Sequence, residues 1–195
     1  MREVELKAVV ADLDAARSEL EAGGGTPVFE GALVDRRYDT PDGSLRARDE
    51  VIRVRIYRST AGDKTLLDWK GPADTQTGFK VREEISTEVS DAAALADILA
   101  KLGYVVVREI DRRITQYTLD GAVVRFETYP RMDALVEVEG NPDSIDRAIA
   151  SLGMSRGEFT SEALSAFVER FERRTGVRAA ISDRELSGDY SIPPG

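Results

Sequence analysis

Acidic and basic side chains recur at every second position along most of the extended stretches of this chain. The sets are Glu3/Glu5/Lys7, Arg53/Arg55, Asp68/Lys70, Lys80/Arg82/Glu84, Arg113 with Tyr117, Arg125/Glu127 and Glu137/Glu139. A period of two places each set on one side of a strand and its neighbours on the other. Those neighbours are apolar: Val4/Leu6, Ile52/Val54/Ile56, Val81/Ile85, Val124/Phe126 and Val136/Val138. Acids dominate the first and last strands, and arginines and lysines those between. Histidine and cysteine are both absent, which excludes disulfides, zinc–thiolate sites, thiol nucleophiles, imidazole bases and Ser-His-Asp triads. The available chemistry is that of carboxylates, Lys, Arg, Tyr, hydroxyls and an added cofactor. Sheltered cations need a polyanion, because isolated charge is costly to remove from water. Several Lys and Arg around a tripolyphosphate meet that need. Grouped carboxylates suit a hard divalent cation, and oxygen-only ligands select Mg²⁺, Mn²⁺ or Ca²⁺ over zinc or copper.

The elements that must position these groups are legible from periodicity and turn residues. A strand over 2–10 is followed by a helix that Asp12 caps and Gly23-Gly24-Gly25 ends. Strands are predicted at 33–39, 50–58 and 64–70, divided by Pro41-Asp42-Gly43 and Ala61-Gly62-Asp63. The order then restarts: a strand at 79–89, a helix from Asp91 to Lys101, strands at 104–117, 122–129 and 134–139, and helices over 143–151 and 161–174. A shift of 79 residues lays Glu5 on Glu84, Asp12 on Asp91, Leu20 on Leu99 and Tyr38 on Tyr117, a hint of duplication. The Leu, Phe and Val positions of the last helix read as core. At 195 residues the chain predicts one domain over 1–175, with 176–195 as a C-terminal tail or loosely docked arm.

Hydrophobic residues make up 42%, enough for a real core. The net charge of −9 argues against a nucleic-acid partner held by phosphate attraction. No leader and no run of about 20 apolar residues is visible, so no membrane partner is expected and a cytoplasmic location is the default. Alternation alone suits an open antiparallel sheet with one wetted face. The segregated charges, and the scarcity of Ser, Thr, Asn and Gln among them, favour an α+β fold instead. There, eight antiparallel strands close into a barrel with a charged interior, flanked by helices.

These residues resemble the CYTH, or triphosphate tunnel metalloenzyme, superfamily. The resemblance rests on Glu3-Val-Glu5-Leu-Lys7, Tyr38-Asp-Thr-Pro-Asp-Gly, Arg53-Val-Arg55, Trp69-Lys70-Gly-Pro, Arg82-Glu-Glu84-Ile, Arg112-Arg113 before Tyr117, Phe126-Glu-Thr-Tyr-Pro130 and Val136-Glu137-Val-Glu139-Gly140. It covers residues 1 to about 172. It implies an eight-stranded tunnel with Glu3, Glu5, Glu137 and Glu139 as metal ligands for Mg²⁺ or Mn²⁺. Lys7, Arg53, Arg55, Lys70, Arg82 and Arg113 become the phosphate cradle, and Lys7, Glu84 and Glu127 the catalytic groups. Glu127 stands where relatives often carry Asp, and Arg112 where Lys is common.

The function implied is metal-dependent hydrolysis of an inorganic or organic triphosphate, with a small-molecule triphosphate as partner. The runner-up is a class IV adenylyl cyclase, which turns ATP into cyclic AMP and pyrophosphate. Thiamine triphosphate is a weaker candidate substrate, because no stacking residue stands out. A non-catalytic binder of organic phosphate stays open, as does a homodimer.

Overall fold

The computed structural model describes residues 2–76 and 79–192, with side chains described except at residues 2–4, 75–76 and 79–81. Among the described residues there are nine strands: β1 (Arg2–Val9), β2 (Thr26–Asp39), β3 (Val51–Ser59), β4 (Gly62–Lys70), β5 (Asp74–Gln76), β6 (Phe79–Val89), β7 (Val105–Leu119), β8 (Ala122–Thr128) and β9 (Leu135–Glu139). The helices are α1 (Leu13–Ala22), α2 (Ser44–Ala47), α3 (Ala92–Lys101), α4 (Pro142–Ser151), α5 (Leu164–Thr175) and α6 (Asp183–Leu186). None is long and apolar enough to cross a membrane.

Every strand pairing is antiparallel, in the order β1-β9-β8-β7-β2-β3-β4-β6-β5. A further pairing of β1 with β6 (Glu3 opposite Arg82, Glu5 opposite Lys80) joins the two ends. The sheet therefore curls on itself as an eight-stranded ring, with β5 added at one edge of β6. This is the α+β barrel expected from the segregation of the charges rather than from their alternation, and it removes the sheet edges that an open arrangement would expose.

The outward, apolar face carries the core. Leu6, Ala8, Val124, Phe126, Val136 and Val138 are buried with Leu20 of α1 and Ile145, Ala148 and Ile149 of α4. Tyr38, Val54 and Leu99 of α3 form a second cluster. A third cluster lies on the inner side instead, where Phe167 of α5 packs with Ile110 and Tyr129, which face the barrel interior, and with Leu135 and Ile181. Each fully buried Leu, Ile or Phe contributes roughly 1.5–3 kcal/mol. Burying one face of each strand thus forces its charged face inward.

The two halves repeat the same local devices 79 residues apart. Asp12 and Asp91 both cap helices by accepting backbone N–H bonds. Leu20 and Leu99 are the deepest leucines of α1 and α3, and Gly24 and Gly103 both take positive φ just beyond them.

Two segments differ from the sequence reading. Strand β2 begins at Thr26 rather than near 33, because Pro27 and Gly31 interrupt the apolar alternation without ending the pairing with β7. Residues 176–195 were expected as a tail, yet their described part is docked. Asp111 N–H donates to the Ile181 carbonyl at 2.8 Å, Arg131 and Ala180 exchange backbone bonds at 2.9 and 2.8 Å, and residues 179–182 are buried. A run of two alanines and one isoleucine is too short to show a period.

Candidate functional site

The β1–β9 register sets Glu5 opposite Glu139 and Lys7 opposite Glu137, so the first and last strands bring their charges together on the inner face. Lys7 Nζ lies 2.9 Å from both Glu5 and Glu137, and Glu137 also accepts from Arg125 at 2.7 Å. Burial alone would lower the Lys7 pKa, but Glu137 and Glu5 outweigh it and hold the ammonium above its ordinary value. Burial likewise pushes Glu137 up, and Lys7 and Arg125 reverse that, leaving it well below the usual carboxylate range. Lys7 is thus held as a cation by its two carboxylate neighbours.

Strands β3, β4 and β6 supply a second knot of charge. Asp68 is fully buried and accepts from Arg53 at 3.0 Å, Arg55 at 2.5 Å and Ser86 at 2.6 Å. Glu84 accepts from Arg53 at 2.9 Å and pairs with Lys70 at 3.1 Å and Arg55 at 3.5 Å. Both carboxylates act as counter-ions that set the guanidinium orientations. At the rim, Arg82 donates to the Gly71 carbonyl at 2.6 Å and the Asp49 carbonyl at 2.5 Å.

The third group comes from β7 and β8. Arg112 lies 3.0 Å from Glu127, whose other oxygen accepts from the Tyr129 hydroxyl at 2.5 Å. Burial, then the Glu127 charge, pushes the Tyr129 pKa well above its ordinary value, so that hydroxyl stays a donor. The cradle position assigned to Arg113 needs correction. Arg113 is exposed, and Arg112 lines the cavity instead. Arg113 shares strand parity with Tyr117, which is wholly buried on the outer side, where its hydroxyl donates to Glu21 and accepts from Arg17. Counting Tyr117 among the inner residues inverted the strand.

These groups surround a cavity of about 170 Å³ whose wall is completed by Ala163, Leu164 and Ser165 at the start of α5. Eight cations (Lys7, Arg37, Arg53, Lys70, Arg82, Arg108, Arg112 and Arg125) line it against three described carboxylates, Glu5, Glu127 and Glu137. Asp35, Asp68 and Glu84 pair with Arg53 and Lys70 from beside the cavity. With them counted, eight cations face six carboxylates, and the remaining excess of two is opposite in sign to the net charge of −9. Arg37 and Arg108 were not anticipated. Burial, together with the neighbouring arginines, lowers the Arg37 pKa to about 10 in spite of Asp35, and Arg37 Nε has no hydrogen-bond partner. Asp35 is fully buried with neither oxygen hydrogen-bonded. Desolvation raises its pKa, and Arg53, Arg37 and Arg112 together bring it below the ordinary value. The signal available in the sequence was parity: Asp35 and Arg37 share the face of Arg53 and Arg55, their neighbours across the β2–β3 pairing.

Arg55, Glu84, Arg125 and Glu139 line a wider chamber of about 710 Å³ that continues along the interior. Glu139 thus lines this chamber, whereas Glu5, its partner in the β1–β9 register, lines the small cavity. The Glu3 and Lys80 side chains lie outside the described residues. Among the described residues, no three Asp or Glu side chains gather closely enough to hold a metal ion. The donor set nevertheless fits a hard cation, because the described candidates Glu5, Glu137 and Glu139 offer only carboxylate oxygens from the adjacent strands β1 and β9.

The CYTH domain family model matches residues 1–143. Among solved structures, the Pyrococcus horikoshii protein PH1819 superposes with a TM-score of 0.69 at 23% identity, covering 86% of this chain and 99% of its own. A Vibrio parahaemolyticus protein proposed to be an adenylate cyclase gives 0.72 at 18%, covering 86% and 97%. A Hippeastrum protein, proposed as an adenylyl cyclase and described as revealing a dominant triphosphatase activity, gives 0.52 at 14%, covering 96% of each. At these identities the likeness establishes the fold. No curated protein matches the sequence.

Proposed function

The chain belongs to the CYTH domain family, and from that premise we propose that it is a divalent-metal-dependent enzyme that hydrolyses a phosphoanhydride bond of an inorganic or organic triphosphate. The observation that carries this reading is the enclosed cavity with eight cations against three described carboxylates. Charge of that density, removed from bulk water, calls for a compact polyanion.

Arg53, Arg55, Lys70, Arg82 and Arg112, with Lys7, grip the phosphate chain and hold it in line for attack. Arg37 and Arg108 extend the cradle toward α5. Glu5, Glu137 and Glu139, with Glu3, are the residues that would hold Mg²⁺ or Mn²⁺, which when bound offsets charge on the phosphate oxygens. Glu127 is assigned the proton of the attacking water, its carboxylate being oriented by Arg112 and Tyr129. Glu84 is engaged by three cations and serves to orient them.

A panel of tripolyphosphate, ATP and thiamine triphosphate, each with Mg²⁺ and with Mn²⁺, tests the proposal when products are resolved by mass. Orthophosphate release, lost on removing the metal and in Glu5→Gln, supports it. Cyclic AMP and pyrophosphate from ATP would assign the same cradle to a cyclase. Binding without turnover of any substrate would make the protein a phosphate binder and overturn the enzymatic reading.

A further inference from the structure

We infer that Asp49 is a positioning residue for the phosphate cradle: from the rim of the small cavity it fixes the orientation in which the Arg82 guanidinium meets the phosphate chain. This rests on the triphosphate reading above and adds a residue to that site.

Among the described residues only Asp49 and Asp120 are non-glycine residues with positive φ, at 53° and 47°. Asp120 is accounted for by its hairpin, since it precedes Gly121 in the tight turn that sets Leu119 opposite Ala122. Asp49 follows the C-terminus of α2. Its N–H donates to the Arg46 carbonyl at 3.0 Å, and the next N–H, that of Glu50, donates to the Leu45 carbonyl at 2.9 Å. A helix end capped in this way calls for a left-handed residue, and glycine fills that place at the least steric cost. An aspartate there carries backbone strain, so its side chain has work to do elsewhere.

That work lies across the rim. Asp49 Oδ2 accepts from the Ala73 N–H at 2.6 Å, and Oδ1 lies 3.3 Å from Arg82 Nη2. The left-handed turn also aims the Asp49 carbonyl at the same nitrogen, at 2.5 Å. Arg82 Nε donates to the Gly71 carbonyl at 2.6 Å. Asp49 thus clasps three separate stretches: the link between α2 and β3, residues 71–73 after β4, and β6. Its own side chain is 59% exposed and that of Arg82 only 10%, so the guanidinium is held from outside. Nε and Nη2 are engaged by the clasp, and Nη1 is the nitrogen that these bonds leave to the cavity Arg82 lines. A guanidinium fixed at two of its three nitrogens has little freedom left to lose when it meets an anion.

Charge alone gives the opposite expectation. A carboxylate beside an anion site repels the anion, so its removal would tighten binding. Weaker binding without Asp49 is therefore a signature of geometry.

The test is the calorimetric Kd for tripolyphosphate in wild type, Asp49→Gly, Asp49→Asn, Arg82→Ala and the double variant of Asp49→Gly with Arg82→Ala, with urea midpoints alongside. The seven remaining cavity cations keep binding measurable when Arg82 is absent. Asp49→Gly suits the turn and should unfold near the wild-type midpoint, yet bind about three- to tenfold more weakly, the net worth of one hydrogen bond. Asp49→Asn tolerates the left-handed turn and keeps an acceptor for the Ala73 N–H, so it should restore binding to within about twofold of wild type. In the Arg82→Ala background, Asp49→Gly should change affinity by less than about twofold. Unchanged or tighter binding in Asp49→Gly, or an equal loss with and without Arg82, overturns the inference and leaves the triphosphate reading in place. No binding of tripolyphosphate by the wild type overturns that reading, and the inference with it.

Discussion

Replacing Arg37 by methionine should stabilise the ligand-free protein. Arg37 Nε has no hydrogen-bond partner, and the Arg37 pKa falls from the ordinary arginine value to about 10 through burial and repulsion by Arg108, Arg53 and Arg112, with Asp35 only partly offsetting them. At about 1.4 kcal/mol per pH unit, keeping this guanidinium charged at neutral pH costs roughly 3 kcal/mol. Part of the side chain still meets cavity water, which trims the expected gain to about 1–3 kcal/mol. In a domain of this size that corresponds to a rise in Tm of about 3–10 °C. The sign follows from linkage: above about pH 10 the folded chain gives up this proton before the unfolded chain does, so the penalty is complete at every pH below that value. Urea and thermal unfolding at pH 7, with and without tripolyphosphate, form the assay. Wild type should gain more from the anion than Arg37→Met does, because the variant has lost part of the cradle. Destabilisation of Arg37→Met by 1 kcal/mol or more without ligand would refute the reasoning, since Arg37 would then be a satisfied structural cation.

Further outcomes follow from the same contacts. Arg112→Ala strands Glu127 and should cost about 3–5 kcal/mol and abolish turnover, whereas Arg113→Ala should stay within about 0.5 kcal/mol with unaltered kinetics. Reversed effects in urea titrations and steady-state assays would return Arg113 to the cradle. Glu137, Asp68 and Asp35 are all held below their ordinary pKa values, so their stabilisation is present above about pH 4.5 and is lost as pH falls through their folded-state values. The urea midpoint should be level from pH 7 to 5, drop below 4.5, and drop less steeply in Glu137→Gln. Gly31→Ala should lower Tm sharply and disturb the Phe29 ring, because its new methyl meets the Arg58 carbonyl; unchanged unfolding and an unchanged aromatic circular dichroism band would contradict that close approach.

Most of the inner face was legible because one rule, alternation, acts on nearly every strand. Glu5 and Lys7, Arg53 and Arg55, Asp68 and Lys70, and Arg125 and Glu127 each sit two apart, flanked by apolar residues that the helices bury. The failures arise where that rule lacks contrast. Arg36 and Arg37 are adjacent and identical, yet Arg36 turns outward to Asp111 at 2.7 Å while Arg37 lines the cavity. Arg112 and Arg113 pose the same choice, and only the outward burial of Tyr117 decides it. A register shift between β2 and β7 at Arg37/Tyr38 further hides which arginines of the two strands share a side. The chamber wall was invisible for another reason: Phe29 lies ahead of the strand predicted at 33–39, and Tyr57 gains meaning only when β2 pairs with β3. The helix α2 was missed because it is four residues long. Asp39 nucleates it through a side chain that accepts from the Leu45 and Arg46 N–H groups at 2.8 and 3.0 Å, a long-range cap that no local period reports.

The most direct test is a calorimetric titration of the protein at pH 7 with tripolyphosphate and, separately, with orthophosphate. A tunnel lined by this excess of cations should bind the linear polyanionic chain at least a hundredfold more tightly than the single phosphate, with affinity weakening as salt is added. Equal affinities for the two anions, or no measurable binding of either, would contradict the account.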